Sequence, residues 1–240
     1  MSEQIGIVAA MVTEVTPLVA QWRRSQWDLG GVKVPVFESG KVTLVCGGIG
    51  PQAGMRAAEA LVERIRPALL MSVGLAGALR EDARVGEVLR PAEVVNSATG
   101  ARFSLSGGAG VLISSATIAG VEEKADLRRR FPDALAVDME GAIVAETAAF
   151  HGIRCMMVKA VSDKADFPMP PLGRFVDPQG QLRNAALIGH AILRPALWGV
   201  MLRLARNSGL AARQLADAVA PMLSANAFKN LKLTTESRVY

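Results

Sequence analysis

The feature that most constrains this chain is the alternation of short, unbroken apolar runs with stretches of helical periodicity. Residues 5–10 are apolar apart from Gly6, as a strand buried on both faces requires, and residues 13–24 then turn helical. Residues 32–37 and 42–46 read as a strand pair joined by a turn at Ser39-Gly40. Pro51 suits the first turn of a helix running to Ile65, whose apolar face is built from Ala53, Ala57, Ala58, Leu61, Val62 and Ile65. Further strands are expected at residues 68–73, 86–95, 110–114, 134–137 and 154–161, and further helices at 121–130 and 139–150. Such alternation predicts an α/β fold with a central parallel or mixed sheet, and ligands in such folds gather beyond the carboxyl ends of the strands.

Residues 167–180, with Pro168, Pro170, Pro171 and Gly173, read as a loop, and helices are expected after it at about 181–206 and 210–225. The domain organisation that follows is a core over residues 1–180 and a basic helical extension of the same domain over 181–240. Charge supports the division. The whole chain carries +5, yet residues 181–240 hold eight Lys and Arg against two Asp and Glu, so the core is nearly neutral. Aromatic residues are not interleaved with those charges, so the pattern suits an amphipathic helix better than a nucleic-acid surface. The Arg194, Arg203 and Arg206 side chains interleave with Leu193, Trp198, Met201 and Leu202 in an amphipathic pattern. Two readings stand for that pattern, a helix packed on the core and a helix resting on an anionic membrane surface.

No signal-peptide pattern opens the chain, and the longest apolar stretch, residues 68–79, falls short of the roughly 20 residues that span a bilayer. The two cysteines, Cys46 and Cys155, and the two histidines, His151 and His190, are too few and scattered for a disulfide framework or a zinc site, so a cytoplasmic protein without metal is expected. Gly47-Gly48-Ile49-Gly50-Pro51 lacks the lysine and spacing of a P-loop and reads as a tight strand-to-helix turn.

Three acids, Glu14, Glu140 and Asp163, each follow an apolar strand where the chain turns. Singly, each is explained as a carboxylate at a helix N-terminus; together, on neighbouring strands, they would converge on one cleft, where a cluster of carboxylates costs stability unless chemistry uses it.

With Ile5-Gly6-Ile7-Val8-Ala9-Ala10-Met11 and Glu14, Gly48-Ile49-Gly50, Gly74-Leu75-Ala76-Gly77, Val137-Asp138-Met139-Glu140 and Val161-Ser162-Asp163 in that order, the chain resembles the nucleoside phosphorylase superfamily, and within it the methylthioadenosine/S-adenosylhomocysteine nucleosidases. The Leu75 position, the Pro168-Met169-Pro170-Pro171 loop and the arginine-bearing segment after Arg194-Pro195 are similar to the hopanoid-associated nucleoside phosphorylases, linked to adenine removal from adenosylhopane.

The resemblance implies a three-layer α/β/α fold with a central mixed sheet, a homo-oligomer, no cofactor, and cleavage of the N-glycosidic bond of a 5′-substituted adenosine. Asp163, oriented by Ser162, would be the acid to the leaving base, kept protonated by burial and neighbouring carboxylates. Glu140 would bind the ribose hydroxyls, with Met139 against the sugar, and Glu14 would activate water. Met11 and Ile49 would line the apolar side of the nucleoside pocket, with Ile118 or Thr117 beside the purine. Asp138 stands where the nucleosidases carry another glutamate. Leu75 stands where many members carry a serine or threonine, so a hydroxyl for phosphate is missing, and an ionised Glu14 would repel phosphate. The residues therefore favour water and the subfamily name favours phosphate; Arg56, Arg80 and Arg102 are the cations available for the latter.

Overall fold

The structure is a computed structural model that describes residues 4–223, with only the backbone at 184, 185, 191 and 192. One mixed sheet runs in the order β2 (Arg23–Asp28), β3 (Lys33–Ser39), β4 (Val42–Cys46), β1 (Ile5–Ala9), β5 (Leu69–Ala78), β10 (Ala134–Asp138), β9 (Val111–Ser114), β7 (Glu93–Asn96) and β8 (Arg102–Ser104). The long strand β11 (Arg154–Asp163) lies parallel to β5 and also holds the short β6 (Val88–Leu89). Two helices, α2 (Pro51–Ile65) and α4 (Gly141–Phe150), cover one face, and α1 (Val12–Val19) and α6 (Trp198–Met222) cover the other. This is the three-layer α/β/α arrangement around a mixed sheet.

Period-two alternation feeds the two faces. Along β11, Cys155 and Met157 pack towards α2 and α4, while Met156, Val158 and Ala160 pack towards α1 and α6. Helix α3 (Val121–Arg130) closes a third apolar cluster through Leu127, against Ile113, Ala134 and Val137.

One topological detail makes the site. Strand β5 changes neighbours along a single edge: Leu69 to Ser72 pair with β1, and Gly77 and Ala78 pair with β10. Residues 73–76 belong to neither partner on that edge, so a cleft opens between the carboxyl ends of β1 and β10.

Several boundaries differ from expectation. Helix α1 stops at Val19, and residues 23–28 form β2 instead; this edge strand exposes Arg23, Arg24, Gln26 and Asp28, so it carries no apolar run to betray it. The strand expected at 86–95 is two strands, because Pro91 lies between β6 and β7 and cannot donate to a ladder. Beyond the loop, the helices are α5 (Asn184–Ile192) and α6, divided near Pro195 rather than at residues 207–209. The end expected near 225 and the tail to 240 lie outside the described residues.

The basic extension is not an appendage. Ala211, Leu215, Ala216 and Val219 of α6 are buried in the same cluster as α1 and β11. The first half of α6 is different, with Trp198 and Leu202 exposed to 55% and 53%. No described helix is long and apolar enough to cross a membrane.

Candidate active site

The cleft is a cavity of about 220 Å³, and the nine residues singled out from sequence all line it: Met11, Glu14, Ile49, Leu75, Ile118, Met139, Glu140, Ser162 and Asp163. They come from the ends of β1, β4, β5, β9, β10 and β11, brought together by the sheet order.

Glu14 sits in the first turn of α1 and accepts hydrogen bonds from the backbone of Leu75 and of Met11, the residue that caps the helix. The Leu75 side chain brings no hydroxyl, yet its backbone still holds the acid. Burial, then the Glu140 carboxylate, push the Glu14 carboxyl up to about 8, against the pull of Lys159. Glu140 accepts the Gly50 N–H at 2.5 Å. Burial, then Asp138, push Glu140 up to about 7, again opposed by Lys159.

Asp138, whose role sequence left open, is an anchor. Its carboxylate accepts from the Ser114 hydroxyl at 2.5 Å, the Gly141 N–H at 2.9 Å and the Lys159 ammonium at 2.8 Å. Lys159 also donates to Ser72 Oγ at 2.9 Å. Burial works to lower Lys159, but Asp138, Glu140 and Glu14 together raise it above the ordinary amine range. Three buried acids thus share one buried cation.

At the other end, a bulge in β11 between Val161 and Asp163 turns Ser162 and Asp163 towards the cavity. Ser162 Oγ donates to Asp163 Oδ1 at 2.6 Å. The neighbour expected for Asp163 was another carboxylate; the one it has is a cation, the ammonium of Lys124, which donates to Asp163 Oδ2.

Lys124 and Lys159 are the two residues that sequence reasoning passed over. Lys159 carried a signal: it is the one charged residue inside the apolar run 155–161, and lysine is almost never fully buried without a partner. Lys124 carried a fainter one, standing three residues before Leu127 and so on the inner face of a helix otherwise crowded with solvated charge.

The glycines of Gly74-Leu75-Ala76-Gly77 give these acids room. A Cβ on Gly74 would lie 2.7 Å from Glu14 Oε2, and one on Gly77 would lie 2.9 Å from Asp163 Oδ2. The Gly47–Pro51 segment is a tight turn: Gly48 and Gly50 have φ of 110° and 96°, and Ile49 N–H donates to the Gly180 carbonyl at 2.7 Å.

The arginines considered for phosphate stand elsewhere. Arg56 donates to the Gln179 carbonyl, Arg80 pairs with Asp82 and Glu87, and Arg102 pairs with Glu93; none lines the cavity. His151 pairs with Glu59 at 2.9 Å on the surface, and His190 lies in α5 against Phe175. Burial pushes the thiols of Cys46 and Cys155 up to about 12, which leaves them inert.

Comparison with known proteins places the family and the fold. The chain is 26% identical, over 198 residues, to 5′-methylthioadenosine/S-adenosylhomocysteine nucleosidase of Staphylococcus aureus, covering 68% of this chain and 87% of that protein. The nucleosidase of the same name from Helicobacter pylori has the same fold, at a TM-score of 0.66 and 19% identity, covering 92% of this chain and 99% of that one. The futalosine hydrolase of Helicobacter pylori superposes equally well, with the same TM-score, identity and coverage. Residues 4–119 and 97–194 match the phosphorylase superfamily, and the chain belongs to that superfamily.

Proposed function

We propose that this chain cleaves the N-glycosidic bond of a 5′-substituted adenosine, releasing adenine. The observation that carries the reading is the distribution of acids in one cavity: Glu14 and Glu140 at one end, and Asp163 with Ser162 at the other. As the bond to the base lengthens, the sugar takes on positive charge, and the Glu140 carboxylate both accepts its hydroxyls and stabilises that charge. Met139 packs beside it. Glu14 takes the proton of the attacking water, and the Asp163 end serves the departing base, which leaves readily only when a proton reaches its ring. Met11, Ile49 and Ile118 supply the apolar walls around the nucleoside. The relatives named for methylthioadenosine and S-adenosylhomocysteine support this class of substrate.

Water is the nucleophile in this reading, because Lys159 is already shared among three acids and no arginine among the described residues lines the cavity. One observation favours phosphate as a second reading: a Glu14 raised to about 8 is neutral at pH 7 and would not repel an anion. Incubation with methylthioadenosine, with and without phosphate, decides. Adenine and free sugar released without phosphate support hydrolysis; release only with phosphate replaces it with phosphorolysis; no adenine under either condition overturns the proposal.

The wall formed by Met169, Leu172, Leu182 and Leu204 is apolar and fits an apolar 5′ group. Helix α6 carries Leu204 in that wall and Trp198 and Leu202 on the surface, beside Arg203 and Arg206. This supports a lipid-linked adenosine such as adenosylhopane, reached by peripheral contact with an anionic membrane. Turnover of a lipid-linked adenosine in vesicles, against methylthioadenosine in solution, tests it: a preference of kcat/KM for the soluble substrate removes the lipid reading. A homo-oligomer belongs to the same proposal, and sedimentation of the full chain checks it; a monomer at all concentrations would be the contrary result.

A further inference from the structure

Arg56 has no place in the chemistry above, and residues 167–180 read in sequence only as a loop. The structure joins the two. After the 3-10 turn Leu172–Phe175, the chain forms a small hairpin closed by an antiparallel bridge between Val176 and Leu182. The Asp177 N–H donates to the Gln181 carbonyl at 3.0 Å. Asp177 Oδ1 in turn accepts the N–H of Gln179 at 2.9 Å and that of Gln181 at 2.8 Å. The hairpin therefore keeps its shape through bonds of its own.

That unit is fastened to the turn between β4 and α2. Arg56 Nη2 donates to the Gln179 carbonyl at 2.6 Å, the Ile49 N–H to the Gly180 carbonyl at 2.7 Å, and Gln181 Nε2 to the Gly47 carbonyl at 3.4 Å. The first of these is charge-assisted and so the strongest in kind. The approach is backbone to backbone. A Cβ on Gly180, where φ is 82°, would lie 2.5 Å from the Ile49 carbonyl oxygen, and one on Gly48 would lie 2.8 Å from the Gly180 carbonyl oxygen. The next N–H of the same turn, that of Gly50, is the one that Glu140 accepts. One turn thus holds the hairpin on one side and the acid assigned to the sugar on the other.

The hairpin contributes Leu182 to the wall of the candidate active site, and Val176 and Pro178 to a second cavity of about 250 Å³. The two cavities share Ile49, Ile118 and Met139, so the second begins beside the residue assigned to the sugar. Among the described residues that line it, Asp177 is the one that carries charge, and its Oδ1 is engaged within the hairpin. We propose that the hairpin Val176–Leu182 is the specificity element for an apolar 5′ substituent, and that Arg56 is the positioning residue that fastens it. This rests on the reading of the main cavity as a nucleoside site and deepens it: the 5′ group runs past Met139 along the hairpin, and a segment of this same chain supplies its selectivity. Arg56 touches no reacting atom and acts through the Gln179 carbonyl.

The test is turnover of a homologous pair, 5′-methylthioadenosine and 5′-butylthioadenosine, by the wild-type chain, Arg56→Met and Gly180→Ala. Each methylene buried against the hairpin is worth about fourfold, so the three extra ones give the wild type a preference in kcat/KM of about tenfold to sixtyfold for the butylthio compound. That preference is carried by a lower KM, as binding shared by ground and transition states requires. Arg56→Met removes the bond to Gln179 and keeps most of the side-chain length, whereas Gly180→Ala forces the hairpin off the Ile49 carbonyl. In both variants the preference falls to about threefold or less, and the loss is read as a higher KM for the butylthio compound rather than a lower kcat. A role in stability alone would lower both substrates together and leave the ratio where it was. The Arg56 bond lies at the surface, so Arg56→Met is read even if Gly180→Ala does not fold. A wild type without the preference, or a wild-type ratio that survives in either folded variant, would overturn the proposal. Release of adenine from neither substrate by the wild type is a separate outcome, and removes the nucleoside reading itself.

Discussion

The two ends of the cavity handle buried charge in opposite ways. At the Glu14 end, Glu14, Glu140 and Asp138 share the single cation Lys159, and two of the three carboxyls are pushed up, to about 8 and about 7. At the Asp163 end, one acid has one cation, and a hydroxyl and a carbonyl complete the shell. In the proposed reaction, a surplus of acid would meet the positive charge on the sugar and accept a proton from water. A balanced pair stands, in the proposed reaction, at the end that meets the departing base. The two arrangements stand apart because they are built on different strands, β1 and β10 against β11.

Removing an acid should therefore have unlike consequences at the two ends. Asp163→Ala leaves Lys124 buried without its carboxylate and should cost about 3–5 kcal/mol of stability, read by denaturant unfolding. Glu14→Gln leaves Lys159 with Asp138 and Glu140, and should cost little stability or none. Equal losses would erase the contrast. In activity Glu14→Gln is severe: adenine release should fall about 10²- to 10⁴-fold, as for loss of a general base.

pH sharpens the comparison next. A base must be ionised, so with Glu14 at about 8 the kcat/KM of the wild type should rise about tenfold per pH unit up to that value and then level off. Stability should run the other way. A carboxyl raised in the native state binds its proton more tightly folded than unfolded, so its contribution is complete below the ordinary 4.5 and is lost as pH rises through about 8. Glu14→Gln should flatten that decline, as thermal unfolding between pH 5 and 9 would show.

A smaller effect is expected at the glycines. Gly74→Ala sets a methyl 2.7 Å from Glu14 Oε2, whereas Gly77→Ala sets one against Asp163 and the Lys124 chain. Each should destabilise by about 1–3 kcal/mol, and only Gly74→Ala should also displace the pH limb near 8. The smallest change is at the surface, where Trp198→Glu with Leu202→Glu should alter stability by about 0.5 kcal/mol or less. The same double substitution should lower flotation with anionic vesicles, and undiminished flotation would end the membrane reading. Truncation near residue 190 is no substitute, since it removes Ala211 to Val219 from the core.

What could be read from the chain alone followed from local patterns. Helix α2 was legible to the residue because Pro51 starts it and a regular apolar face runs to Ile65. Helix α3 and strands β1, β4 and β9 were legible within a residue for similar reasons. Strand β2 was not, because an exposed edge strand is specified by its pairing with β3, not by an apolar run of its own. In α6, amphipathicity told of one apolar face but not what covers it; tertiary packing gave the second half to the core and left Trp198 and Leu202 outside.

The candidate site divides along the same line. Glu14, Glu140 and Asp163 were legible because each stands at the end of an apolar strand, where an acid is conspicuous, whereas the residues around them were reached only through the family resemblance. The sequence by itself determined the layered α/β fold and which acids would reach its rim, since periodicity and strand ends are properties of neighbours in the chain. Only the tertiary structure decided which cation serves which acid. Lys124 meets Asp163 across 39 positions, and Ser72 meets Lys159 across 87. Pairings of that kind depend on strand order and on a bulge in β11, and no local pattern encodes them.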